Sequence, residues 1–205
     1  MSDEWNEITQ QFNTLYPEEK KVLRRLIRKI LSKGINEGID LTLKECKNVK
    51  GKRILDIGFS LRNAAAELIK RGAEITVLDP TVDKSYHLHT EDETAKRQYV
   101  IEYNDLLDPG FDEDFDIAIA LNFFDHVTDP LPYLRKLKLI TREKCIMTFS
   151  SRFTLQAPVK MLWTTTQNRP LHLYTKAEVK RLLSPIFPRL RVKNISAGYH
   201  CVASA

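Results

Sequence analysis

Long apolar runs are missing from this chain of 205 residues. No stretch approaches the roughly 18 apolar residues of a bilayer-spanning helix, so no membrane span is expected. The opening Met1-Ser2-Asp3-Glu4-Trp5 lacks the basic region and apolar stretch of a secretory signal. Cysteine is scarce. Cys46, Cys145 and Cys201 are odd in number, far apart and without metal-ligand spacing. A reducing, cytoplasmic setting is therefore expected, with the thiols in strand-like runs serving as small apolar groups. His87 and His89 resemble a metal pair only superficially, because no third ligand with suitable spacing is visible; no metal is expected. Internal repeats and low-complexity segments are absent as well.

What remains is ordinary in bulk: 42% apolar and 29% charged residues, enough for one soluble domain with a proper core. The excess of positive charge is mild, +5 with a pI near 9.0, and much of it is local. Lys20, Lys21, Arg24, Arg25, Arg28, Lys29 and Lys33 alternate with Val22, Leu23, Leu26, Ile27, Ile30 and Leu31 at the spacing of an amphipathic helix. Pro17, Glu18 and Glu19 suit its first turn and Gly34 suits its stop. A solvated basic face is the plainer reading of residues 20–33. A phosphate-rich partner such as RNA, or an acidic substrate, is the other.

Beyond residue 50, strands and helices alternate. Apolar runs predict strands at Arg53–Ile57, Glu74–Leu78, Gln98–Glu102, Phe115–Leu121 and Lys144–Ser150, each continuous enough for a parallel sheet covered on both faces. Helices are expected from Asn63 to about Arg71 and around Leu131–Leu139. Thr175 and Glu178 have the spacing of a capping box opening a helix to about Leu183. Two final runs, Leu190–Ile195 and Tyr199–Ala203, are joined by a turn too short for a parallel crossover and should pair antiparallel. Ser150–Pro170 reads as a long connection, of the kind that often carries function.

Arg53-Ile54-Leu55-Asp56-Ile57-Gly58-Phe59-Ser60-Leu61-Arg62 reads as a buried strand entering a tight turn before a helix. The next strand ends in Asp79. A glycine turn brings backbone amides near a ligand, and a carboxylate at the second strand end accepts hydrogen bonds from ribose hydroxyls. Glycine is short here as well: Ser60 and Arg62 stand where further glycines would fall.

This order of elements, from about Lys50 to Ala205, resembles the class I S-adenosylmethionine-dependent methyltransferases. The resemblance implies an α/β three-layer sandwich with a mostly parallel seven-stranded sheet, order 3-2-1-4-5-7-6, last strand antiparallel. Residues 1–49 would be an added helical region packed on the domain of residues 50–205. Asp56, Gly58, Phe59 and Ser60 would hold the methionyl part of S-adenosyl-L-methionine; Asp79 with Pro80 would hold the ribose, and Asp105 with Leu106 the adenine. The most specific match is Asn122-Phe123-Phe124-Asp125-His126-Val127, where Asn122 and Phe123 would line the crevice between cofactor and substrate.

His126 is a candidate general base, its unperturbed pKa of about 6.5 suiting proton removal near neutrality. Asp125 is grouped with it as catalytic; alternatively both cap the turn behind the cofactor. His172 and Tyr174 either face the substrate or staple the next helix, and Met161, Leu162 and Trp163 form either a substrate wall or a satellite of the core. Trp5-Asn6-Glu7-Ile8 and Phe149-Ser150-Ser151-Arg152-Phe153 are faintly similar to segments of magnesium-protoporphyrin and quinone O-methyltransferases. The expected activity is methyl transfer to an O, N or S atom of a small molecule. The rival is a methyltransferase-like subunit without turnover, regulatory or RNA-binding. An NAD-dependent dehydrogenase fits poorly, since the turn lacks Gly-x-Gly-x-x-Gly.

Overall fold

The computed structural model describes residues 21–58, 60–61, 64–78, 99–102, 105–108, 111, 113–166 and 170–204. Its elements are α1 (Lys21–Glu45), β1 (Arg53–Ile57), α2 (Ala65–Lys70), β2 (Glu74–Leu78), β3 (Tyr99–Glu102), β4 (Phe115–Ala120), α3 (Pro130–Ile140), β5 (Thr141–Ser150), α4 (Ala157–Thr166), α5 (Lys176–Leu183), β6 (Arg189–Ile195) and β7 (Gly198–Ser204). A 3₁₀ turn at Phe123–His126 follows β4. The result is the mixed, mostly parallel α/β sheet that the alternating pattern predicts.

Seven strands hydrogen-bond in the order β3-β2-β1-β4-β5-β7-β6. β1 pairs in parallel with β2 and β4, β2 with β3, and β4 with β5. β7 runs antiparallel to both β5 and β6. Alternate side chains of the central strands enter two separate apolar layers, because successive Cβ atoms leave a strand on opposite faces. Leu55, Ala118, Met147 and Cys201 pack with Leu134 and Leu137 of α3 and Val179 and Leu183 of α5. Ile54, Val77, Ile119 and Ile146 pack instead with Leu68 and Ile69 of α2 and with Cys46, Leu43 and Ile39 at the end of α1. All three cysteines are free and buried, and burial pushes the Cys145 and Cys201 thiols up to about 12.

Three expectations need correction. Gly34 does not stop α1, which continues to Glu45. A Cβ on Gly34 would overlap the Ala197 methyl and lie 2.9 Å from the Gln156 amide, so this glycine is a point of close packing. α1 is tied to the domain beyond that point: Ser196 N donates to Glu37 (2.8 Å), Lys144 Nζ to the Glu45 carbonyl (2.6 Å) and Arg191 to the Glu45 carboxylate (2.7 Å). Next, β5 starts at Thr141, three residues earlier than the apolar run suggests, because strand pairing with β4 includes its exposed, charged beginning. Finally, the stretch after β5 is not an unbroken connection; it contains α4. The side chains of residues 21–31, on which the basic-face reading depends, lie outside the described residues, as do His87 and His89. Among the described residues no helix is long and apolar enough to cross a membrane, and no group of three or more His, Cys, Asp or Glu could hold a metal ion.

Candidate functional site

The carboxyl ends of β1 and β4 are adjacent, since the two strands pair in parallel, and each ends in a strained turn. Gly58 follows β1 with φ +70°, a left-handed conformation that costs a residue with a Cβ roughly 1–2 kcal/mol. Its amide donates to the Leu78 carbonyl at 3.0 Å, which fixes it against the end of β2. Asp56, fully buried, holds this turn from inside. Oδ1 accepts from the amide (3.0 Å) and hydroxyl of Ser60, and Oδ2 from Leu61 N at 3.0 Å. A carboxylate with these donors compensates its own burial and sets the path of the chain past Gly58. Ser60, 9% exposed, thus serves Asp56 rather than projecting into solvent.

After β4, Asn122 is also left-handed (φ 58°, ψ 6°), a conformation asparagine tolerates better than most residues. Its amide donates to Thr148 Oγ1 at 2.8 Å, tying it to β5. Phe123, the next residue, lies 3.4 Å from where a Cβ on Gly58 would stand. Its ring meets Tyr133 edge-on, with centroids 5.4 Å apart. The Tyr133 hydroxyl donates to Asp105 Oδ2 at 3.3 Å, and the other Asp105 oxygen accepts from Leu107 N at 3.1 Å. Burial, then the Asp105 charge, raises the Tyr133 pKa and keeps it a donor. Gly58, Phe123, Tyr133 and Asp105 therefore form one continuous series of neighbours across the ends of β1, β4 and the segment beyond β3. Leu106 is different: it is buried in the core with Phe111 and Leu78. Phe59, Arg62, Asp79 and Pro80 lie outside the described residues.

The two residues expected to be catalytic part company. His126 is exposed, and its Nδ1 lies 2.8 Å from the Pro170 carbonyl. A carbonyl only accepts, so Nδ1 carries the proton and Nε2 keeps the lone pair. Asp125, 1% exposed, is turned inward. It accepts from Ser150 N at 2.8 Å and from the Ser150 hydroxyl, with Lys160 Nζ 3.5 Å away. A carboxylate so enclosed holds the turn, the second of the two readings open to it from the sequence.

His172 donates its amide to the Asp125 carbonyl at 2.7 Å. The Tyr174 hydroxyl donates to the Phe124 carbonyl at 3.0 Å, and burial, with Asp125 and Glu178 nearby, pushes its pKa up to about 12. Tyr174 thus braces the 3₁₀ turn from below, just before the Thr175–Glu178 capping box, which is fully formed. Tyr133, Thr148 and Lys160 have no motif to mark them in the sequence. The pairing of β5 with β4 and the packing of α3 and α4 bring them to this edge.

No protein-family model matches the sequence, and neither does any curated protein sequence. Solved structures do resemble it. With a candidate O-methyltransferase from Nostoc punctiforme it shares 21% identity at a TM-score of 0.62, covering 91% of this chain but only 61% of that one. With magnesium protoporphyrin IX methyltransferase from Synechocystis, bound to S-adenosylhomocysteine, it shares 14% identity at a TM-score of 0.59 over 97% of this chain and 93% of the other. With 1,6-didemethyltoxoflavin-N1-methyltransferase from Burkholderia thailandensis, which holds its substrate and S-adenosylhomocysteine, the values are 13%, 0.59, 100% and 89%. At these identities the likeness establishes the fold, which is that of the S-adenosylmethionine-dependent methyltransferases.

Proposed function

We propose that this protein binds S-adenosyl-L-methionine at the ends of β1 and β4 and transfers its methyl group to a small molecule. The observation that carries the proposal is the Asp56-held turn, with Gly58 left-handed and without a side chain beside Phe123. Such a turn leaves backbone open to a ligand at the strand ends, where open α/β sheets bind theirs. The residues present fit the cofactor. Gly58 leaves space for its methionyl part, Phe123 and Tyr133 offer aromatic surface for adenine, and Asp105 offers a carboxylate acceptor for its amino group. Asp79, directly after β2, is assigned the ribose hydroxyls. When bound, the cofactor supplies an electrophilic methyl group on a sulfonium.

The chain's own contribution is positioning. Holding two reactants in line can lower a barrier by on the order of 7–11 kcal/mol. With Nδ1 of His126 turned to the Pro170 carbonyl, Nε2 is the nitrogen placed to accept a proton from an acceptor hydroxyl or protonated amine. Titration calorimetry with S-adenosylmethionine and S-adenosylhomocysteine tests the proposal: saturable binding of either supports it, and folded protein binding neither would sink it. The small-molecule acceptors named for the Synechocystis and Burkholderia structures favour a small acceptor here. RNA, considered for residues 20–33, gains nothing from these likenesses and is not proposed.

A further inference from the structure

We infer that Lys160 is a positioning residue that sets His126 through a buried relay. Its side chain descends from α4 and is only 14% exposed. Nζ donates to the Ser150 hydroxyl, and that hydroxyl in turn donates to Asp125 Oδ2. The ammonium is 3.5 Å from the same carboxylate oxygen. A counter-charge adds to the hydrogen bonds that keep a buried carboxylate ionised and in place. Ser150, 1% exposed, is too enclosed to act as a nucleophile, so the three groups form a latch.

The latch matters because of what Asp125 holds with its backbone. Its carbonyl accepts from His172 N, while Pro170, two residues earlier, accepts from His126 Nδ1 at 2.8 Å. Residues 170–172 therefore strap the 3₁₀ turn at two points, one on each side of the Asp125–His126 peptide. The strap is itself stitched to β5, with Tyr174 N donating to the Ser150 carbonyl at 2.8 Å. Ser150 is thus the common member: its hydroxyl serves the latch and its carbonyl serves the strap. If the ammonium is removed, Asp125 keeps its Ser150 donors but loses its counter-charge, which loosens its hold on the turn and with it the contact that fixes the His126 tautomer. α4, which continues the segment beyond β5, is in this way coupled to the candidate base without touching it.

The inference rests on the proposed function only for the purpose of His126, not for the geometry. Nitrogen-15 histidine spectra test it, with the His126 signal identified by His126→Gln. Wild-type protein is expected to show His126 as the Nδ1–H tautomer. Lys160→Met should move that signal toward the average of the two tautomers while the His200 signal stays in place, and Lys160→Arg should restore it. An unchanged His126 signal in folded Lys160→Met overturns the inference. If that variant does not fold, Lys160→Gln decides in the same way, because it removes the charge while keeping a polar side chain of similar length. Should wild-type protein fail to bind S-adenosylhomocysteine, the methyltransferase reading falls, and the histidine spectra still judge the latch by themselves.

Discussion

Thr42 Oγ1 lies 3.3 Å from Nε2 of His200, joining the last turn of α1 to β7 inside the molecule. The Thr42 hydroxyl already donates to the Gly38 carbonyl at 2.8 Å, so it meets the imidazole as an acceptor and Nε2 carries the proton. His200 is 3% exposed. Burial, followed by the opposing Glu45 charge and the reinforcing Lys193 and Arg191 charges, lowers its pKa to about 4.

Stability should therefore fall on acidification. The unfolded chain takes up a proton at His200 near pH 6.5 and the folded chain only near pH 4, so the contribution is complete above about 6.5 and is lost as the pH drops toward 4. The loss should amount to roughly 3 kcal/mol. Urea unfolding of wild type and His200→Gln across this window measures it: the wild-type curve should fall more steeply. Parallel curves would mean that His200 is not buried neutral.

Helix propensity and packing disagree at Gly34. Alanine gains about 1 kcal/mol over glycine inside a free helix. At Gly34, however, its methyl would meet Ala197 and Gln156, and overpacking of this kind costs about 1–3 kcal/mol. Gly34→Ala should thus destabilise the protein. Gly38→Ala, whose methyl would lie 3.4 Å from Thr148 Cγ2, should be neutral or stabilising. Equilibrium denaturation of the pair decides whether packing or propensity wins.

Asp56→Ala would strand three donors, Ser60 N, Ser60 Oγ and Leu61 N, in a buried place. A loss of about 2–4 kcal/mol is expected. Affinity for S-adenosylhomocysteine should fall at least about tenfold, in line with a binding loss of 1.4 kcal/mol or more. Calorimetry on protein that remains folded separates the two effects.

Gly58→Ala places a Cβ in a left-handed turn beside Phe123. The strain should cost about 1–2 kcal/mol of stability. If the cofactor lies against this backbone, affinity should fall further than stability does. Equal affinities for variant and wild type would remove Gly58 from the site.

Much of the sheet was legible because its strands are continuous apolar runs whose order along the chain allows few topologies. The Thr175–Glu178 box was legible because capping needs only local spacing. α4 was not: Ala157–Thr166 ends in three threonines, which are weak helix formers, and Pro158, tolerated in its first turn, reads equally well as part of a loop. The same limit hid Gly34, whose reason for being glycine is Ala197, far away in sequence. At the site, Asp56 and Gly58 stand out because one turn contains both. Lys160 does not, since a buried lysine and an exposed one look alike in sequence until the fold brings a carboxylate to meet it.

The position of β7 has a consequence for synthesis. This strand, at residues 198–204, is placed between β5 and β6 and hydrogen-bonds to both. Until residues 198–204 have been made, the edge of β5 that β7 covers stays open, and β6, at the end of the sheet, has no β7 to pair with. Long-range closure of this sort is slow, and such edges invite other chains to pair with them. The sheet can be completed only after β7 has been made.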